Sequence, residues 1–266
     1  MAYTTLPVRT PTLPPATHTN VYLLGDQVLT VVDPASPYPD EQARLLAHLQ
    51  GLSGRVERVL LTHHHWDHVG GAQALATALD VPVAAHPRTA ELLAGEVDVQ
   101  ELLRDGDRVE TDRGGWTCLF TPGHASGHLC LQHDDGHAVV AGDMVAGEGT
   151  IVLDPPEGDL ALYLASLARL RTLDAGVLLP AHGPPLTDPA AILDHYIRHR
   201  NGRTDQLREA LRALNAATPL ELAGRIYTEL PPVFLGLAAR QVLCHLQYLA
   251  ARGEVCSSDG ETWEVL

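Results

Sequence analysis

The sequence predicts a mixed α/β (α+β) protein with a short second unit at its C-terminus, and three observations predict it. Short apolar runs that read as strands alternate with helix-patterned segments over about 200 residues. Several of these strands end beside a histidine or aspartate that neighbours a glycine. The last stretch of the chain, about 50 residues, changes composition and reads as two helices and a hairpin. The boundaries that follow are a larger unit over residues 1–200, then a linker helix and a small terminal unit over 201–266.

The elements follow in order. The Pro/Thr-rich opening, Pro7 to Pro15, reads as an extended lead-in. Val21–Leu24 and Val28–Val32 read as strands joined by a turn at Gly25-Asp26-Gln27. Asp33-Pro34 ends the second strand, and Ala43, Leu46 and Ala47 give Asp40–Leu49 helical spacing up to Gly51. Val56–Leu61 is a short apolar strand, Val69–Leu79 looks helical, and Val81–Ala85 is the next strand. Trp116–Phe120, His128–Gln132 and Ala138–Ala141 are strands separated by polar turns. Leu160, Tyr163, Leu164, Leu167 and Leu170 mark a helix over Asp159–Leu173, which leads to a last apolar strand, Val177–Leu179.

From about Asp188 the pattern shifts. Ala190–Leu214 is helix-prone and carries five arginines: Arg198, Arg200, Arg203, Arg208 and Arg212. Pro219–Tyr227 and Val233–Arg252 are helices around Leu230-Pro231-Pro232, with Gly253 suited to the second C-cap. Glu254–Ser257 and Thr262–Leu266 can pair around Ser258–Glu261. Helix, turn, helix and two-stranded wing make up the winged-helix arrangement.

Bulk properties bound the function. The hydrophobic fraction of 45% is ordinary for a chain that buries a full core. Net charge is −15, and all 18 basic residues are arginine. That balance argues against a general nucleic-acid binder. Cys118, Cys130, Cys244 and Cys256 lack CxxC spacing, which suits a reduced compartment, and a cytoplasmic location is expected. The N-terminus has no signal-peptide pattern, and no uninterrupted apolar run approaches the ~18–20 residues of a membrane span.

The densest chemistry lies at residues 62–71, Thr-His-His-His-Trp-Asp-His-Val-Gly-Gly. His63, His65, Asp67 and His68 place four potential ligands within six residues, directly after an apolar strand. Imidazole with carboxylate favours zinc or a similar first-row cation, and so many ligands in one loop suggest two metals. His63 and His65, at i and i+2 of an extended strand end, share a face and can converge on one ion. Thr-Pro-Gly-His, Val-Val-Ala-Gly-Asp and Leu-Leu-Pro-Ala-His-Gly add His124, Asp143 and His182. His64 is expected behind the ligands or exposed, and Trp66 packed under the loop. His86, His128, His133 and His137 read as structural, with His128 placed to orient His124. Asn20 and Tyr22 read either as facing the metals or as sheet residues.

In this ordered set, from His63 to His182, the chain resembles the metallo-β-lactamase fold superfamily. The resemblance implies a four-layer αβ/βα sandwich with two metals at one edge of two sheets, so residues 1–200 become the catalytic unit. It implies that His63, His65 and His124 hold one metal, that Asp67, His68 and His182 hold the other, and that Asp143 bridges them. Two Zn2+ are expected, with Mn2+ or iron also suited to His/Asp sites. A hydroxide bridging the metals would be the nucleophile and Asp67 a proton acceptor.

No cysteine occupies a ligand position, unlike the commonest zinc β-lactamases. The step of 39 positions from Asp143 to His182 (182 − 143) leaves no room for the large inserted domain of some RNA-processing relatives. GDMVAGEGT, LPAHGPPLTDP, HYIRHRNGRTDQL and the C-terminal winged helix resemble the β-lactamase-like endoribonuclease family. That family implies a phosphodiesterase acting on single-stranded RNA, and its fungal relatives imply a thioesterase; a lactonase is a further small-molecule option. Expected substrate contacts are Glu148, Thr150, Arg198, His199 and Arg200, since arginine binds phosphate or carboxylate bidentately. Sequence-specific DNA binding is not expected, because residues 217–266 carry three Arg against six Asp or Glu. A non-enzymatic winged-helix sensor is the remaining alternative.

Overall fold

The computed structural model describes residues 2–266. The chain opens with an antiparallel meander, β1 (Tyr3–Arg9), β2 (His18–Leu24) and β3 (Val28–Val32). Helix α1 (Pro39–Gln50) then crosses to β4 (Arg55–Leu60), which lies parallel to β3. Short α2 (Trp66–Val69) and α3 (Ala72–Leu79) lead to β5 (Val83–Ala85), and α4 (Pro87–Leu92) leads to β6 (Glu101–Leu102). These six strands form one sheet in sequence order. A second sheet has the order β11-β10-β9-β8-β7, from β7 (Arg108–Thr111), β8 (Gly114–Phe120), β9 (Leu129–His133), β10 (Ala138–Gly142) and β11 (Val177–Pro180). Helix α5 (Leu160–Arg171) makes the crossover between parallel β10 and β11.

The layering follows from side-chain alternation along the strands. In β2, Val21 and Leu23 face the core beneath α1 and α3, whereas Tyr22 and Leu24 face the second sheet. In β10, Val139 and Ala141 pack on α5, whereas Val140 meets the first sheet. Both faces of each sheet are therefore buried, giving four layers, helix–sheet–sheet–helix, as expected. This also explains why the central strands read as nearly unbroken apolar runs.

Three local expectations are corrected. The proline-rich opening is not only a lead-in: residues 3–9 pair with β2 as an edge strand, the sheet position that tolerates Pro7. Val69–Leu79 is not one helix, because Gly70 and Gly71 separate α2 from α3. A Cβ on Gly70 would lie 2.8 Å from the Ala35 carbonyl oxygen, so only glycine lets the connection after β3 pass so close. Finally, β6, β7 and α4 are additional elements, too short to carry a periodicity of their own.

Helix α6 (Pro189–Leu214) runs from one core into another. Leu193 packs on the second sheet's helical layer, while Leu207 and Leu211 belong to a C-terminal core. That core holds β12 (Ala216–Ala217), α7 (Pro219–Ile226), α8 (Leu235–Ala250), β13 (Val255–Cys256) and β14 (Trp263–Val265). The wing hairpin forms as expected, and β12 adds a third strand in the order β12-β14-β13. The segment Pro232–Ala250 has the length and mean hydropathy of a membrane span. Its apolar run is interrupted by Arg240, Gln241 and His245, and Ala238, Val242, Leu246 and Leu249 pack into the C-terminal core.

Candidate metal centre

Each candidate ligand stands just beyond a strand. His63, His65, Asp67 and His68 follow β4, His124 follows β8, Asp143 follows β10 and His182 follows β11. The packing of the two sheets brings these ends together. Ligand atoms of three sets lie within 4.8 Å of one another: His63, His65 and His124; His63, His68 and Asp143; Asp67, His68 and His182. All seven expected ligands are thus in one cluster.

In the first set, His63 Nε2 lies 3.1 Å from His65 Nδ1, His124 Nε2 lies 2.9 Å from His65 Nδ1, and the two Nε2 atoms are 3.3 Å apart. Ring protons cannot account for all three contacts. The Nδ1–H of His124 donates to the Val152 carbonyl at 2.8 Å. Thr62 Oγ1 donates to Asp33, so at 3.0 Å it accepts from the Nδ1–H of His63. Both Nε2 atoms therefore carry lone pairs, aimed at the same point as His65. A tetrahedral ion with metal–nitrogen bonds of about 2.0–2.1 Å sets neighbouring nitrogens about 3.3 Å apart. The donor set fits.

Asp143 faces both halves of the cluster. Its Oδ2 is 3.4 Å from His124 Nε2, and its Oδ1 is 3.6 Å from His68 Nε2 and 3.5 Å from His182 Nε2. Asp67 Oδ2 stands 3.4 Å from His182 Nε2. His68 Nε2 and Asp143 Oδ1 are buried with no hydrogen-bond partner, as expected of atoms whose partner is a cation.

The electrostatics divide the same way. Burial, then the neighbouring imidazoles, holds His63 well below the ordinary histidine range, and burial draws His124 down to about 3. These rings stay neutral, the form that binds metal. Burial also disfavours the charge on His68, but the Asp143 and Asp33 carboxylates outweigh it and raise its pKa well above 6.5. Burial would raise Asp143, yet His68 and His182 hold it far below the usual carboxylate range.

Several supporting residues lay beyond the sequence reading. Asp33, buried just past the end of β3, accepts from Thr62 N at 2.8 Å, from Thr62 Oγ1 at 2.6 Å and from His68 Nδ1 at 2.8 Å. It fixes the tautomers of His63 and His68 together. The one signal in the sequence was an aspartate ending an apolar strand, which reads more simply as a turn. His128 does not brace His124: its Nε2 accepts from Asp143 N at 3.1 Å. Gly142, at φ +49°, permits this, since a Cβ there would meet His128 Nε2 at 2.5 Å. Asn20 and Tyr22 do not face the cluster but donate to the Pro180 carbonyl at 3.0 and 2.7 Å, steadying the turn that bears His182.

The expected substrate contacts separate. Glu148 and Thr150 are exposed on the loop beside His182, whose carbonyl accepts from Glu148 N at 3.3 Å. Arg198 and His199 are exposed on α6. Arg200, two positions on and thus about 200° around the helix, is only 3% exposed. It donates to the Ile151 carbonyl at 2.5 Å and lies over the Tyr163 ring, so it faces inward while Arg198 faces solvent. Trp66 is not packed under the loop but 57% exposed. His64 is partly buried, its Nδ1 has no hydrogen-bond partner, and it belongs to none of the three candidate ligand sets.

Comparison with known proteins settles the family. The model of the metallo-β-lactamase superfamily matches residues 14–182. The chain belongs to this superfamily. A β-lactamase-associated winged-helix model matches residues 218–263. The "Beta-lactamase-like protein 2 homolog" of Caenorhabditis elegans is 28% identical over 92% of this chain and 83% of that protein. The "Lactamase-like protein vrtG" of Penicillium aethiopicum is 31% identical over 85% of this chain and 70% of its own length. Among solved structures, a metallo-β-lactamase family protein of Thermus thermophilus has a TM-score of 0.84 at 24% identity, covering 100% of this chain and 99% of that one. A protein solved in a di-iron-bound form is 32% identical with a TM-score of 0.53, covering 69% of this chain and 96% of its own. The metallo-β-lactamase fold, its ligand cluster and these relatives make the chain a metal-dependent hydrolase of the superfamily.

Proposed function

We propose that the chain is a dinuclear-metal hydrolase of a small-molecule ester or thioester. The observation that carries the dinuclear reading is Asp143, whose two oxygens face two separate sets of ligand atoms. His63, His65 and His124 would hold one cation; Asp67, His68 and His182 the other. Their nitrogen and oxygen donors suit zinc, and also manganese or iron. Bound there, such cations supply Lewis acidity, polarising a substrate oxygen and making a water acidic enough to attack near neutral pH.

The chain's own residues do the rest. The Asp33 carboxylate and the Val152 and His18 carbonyls hold the Nδ1 protons of His68, His124 and His182, leaving each Nε2 free for a ligand. Asp67 is the more exposed of the two ligand carboxylates, 20% against 10% for Asp143, and is the candidate proton acceptor.

Charge favours a small substrate over RNA. Along α6, Arg203 stacks on Tyr227 and Arg208 pairs with Asp205 and Glu254. With Arg200 buried, only Arg198 and Arg212 of this helix remain without a side-chain partner among the described residues, on a chain of net charge −15. A polyanion gains little from such a surface. Single-stranded RNA is the second reading, favoured by similarity to a β-lactamase-like protein 2 homolog over 92% of the chain. A screen of metal-loaded protein against acyl thioesters, lactones and single-stranded RNA tests both. Turnover of thioesters or lactones, absent from metal-free protein, is expected; cleavage of RNA alone would reverse the order.

A further inference from the structure

The segment Ile151–Leu153 links the winged-helix unit to the metal cluster. His124 donates its Nδ1–H to the Val152 carbonyl at 2.8 Å. The residues on either side are held from the C-terminal half of the chain. Arg200 of α6 donates to the Ile151 carbonyl at 2.5 Å, and Leu153 N–H donates to Gln241 Oε1 of α8 at 2.9 Å. Just beyond, Arg240 of α8 pairs with Asp154 and donates to the Pro155 carbonyl. Cys244, one turn further along α8, contacts the Gly158 carbonyl at 3.7 Å.

This anchoring is built from buried groups. Arg200 is 3% exposed and Gln241 7% exposed. Thr204 and His245, each four residues beyond one of them, join across the helices at 2.8 Å. Contacts at the level of Arg200 and Gln241, and again one turn on, fix how α8 lies along α6. Neither Arg200 nor Gln241 touches a ligand side chain; what both hold is backbone.

We propose that α8 of the winged-helix unit positions metal ligand His124, with Gln241 and Arg240 as positioning residues acting through Ile151–Leu153 and Asp154-Pro155. In this role the winged helix completes a hydrolase site rather than reading nucleic acid. The inference rests on the reading of His63, His65 and His124 as a metal site. Loss of a partner behind a metal-binding histidine commonly costs 10–100-fold in affinity; one step further removed, the lower end of that range is expected.

The test is zinc affinity of the full chain, measured by competition with a chromophoric chelator. Gln241→Leu should weaken one of two zinc sites about tenfold and leave the other within about twofold. Gln241→Glu, which keeps the acceptor for Leu153 N–H, should restore it. Val242→Ala, a neighbouring core change on α8 that does not touch the segment, should lower the melting temperature without loosening zinc. Arg240 is about half exposed, so Arg240→Ala keeps the core and should still weaken the same site by a smaller factor. Unchanged zinc binding in Gln241→Leu and Arg240→Ala, or equal loosening in Val242→Ala, would overturn the proposal. Wild-type protein that takes up no zinc would instead overturn the metal reading beneath it.

Discussion

Asp33→Asn is the most informative single substitution at the site. Asp33 has φ +49°, a left-handed conformation that asparagine also adopts, so the backbone is preserved. Asparagine keeps one acceptor for Thr62 N–H but sets an amide donor against Thr62 Oγ1 and His68 Nδ1, which both donate to Asp33 Oδ2. Hydrogen bonds to a charged group are worth roughly 1.5–3 kcal/mol each, so losing two in a buried site should cost about 3–6 kcal/mol of stability. His68 would turn its ring proton from Nδ1 to Nε2 or shed the contact, and metal affinity should fall about 10–100-fold. Urea denaturation of metal-free protein reads the first quantity and chelator competition the second. Stability within about 0.5 kcal/mol of wild type, with unchanged metal affinity, would refute Asp33 as the residue that fixes both tautomers.

Further outcomes follow from the same geometry. Burial, then Arg200 and Arg203, draws His245 down to about 3 from 6.5, so its contribution to stability is complete above pH 6.5 and is lost as pH falls towards 3. Between pH 6.5 and 5 the wild type should therefore lose stability faster than His245→Gln, by up to about 1.4 kcal/mol per pH unit in denaturant midpoints; parallel curves would contradict this. Gly142→Ala should destabilise by about 2 kcal/mol or more, because its φ of +49° is strained for alanine and the new methyl meets His128. A melting temperature equal to wild type would count against that packing. Arg198→Ala should leave stability unchanged and alter only turnover of anionic substrates, whereas Arg200→Met should lower stability and reduce turnover of neutral and anionic substrates alike. Thermal melts beside kinetics on a neutral and a charged substrate separate the two.

What was legible in the sequence follows physical locality. The seven candidate ligands that cluster in space were, because each stands beside a glycine or a histidine cluster within a few residues of a strand end. The alternation that sorts Val21 and Leu23 from Tyr22 and Leu24 was legible too, as an apolar run, though not which face met which layer. Asp33 was not, since its partners come to it only when β3 and β4 pair in parallel. The two sides of α6 were not separated either: Arg198 and Arg200 look alike in a charged run, and only the packing of α5 and α8 decides which is buried. The exposure of Trp66 is not legible, because an aromatic residue among histidines after an apolar strand is more often core than surface. Strands of two or three residues, such as β6 and β12, carry no period to read.

Metal stoichiometry tests most directly whether the residues around Asp143 would hold two metals. Elemental analysis after reconstitution with zinc and removal of free metal should give two equivalents for the wild type. Asp143→Ala should hold at most one equivalent and lose hydrolytic turnover. A wild type that retains fewer than two, or an Asp143→Ala protein that keeps both metals and full turnover, would contradict the account.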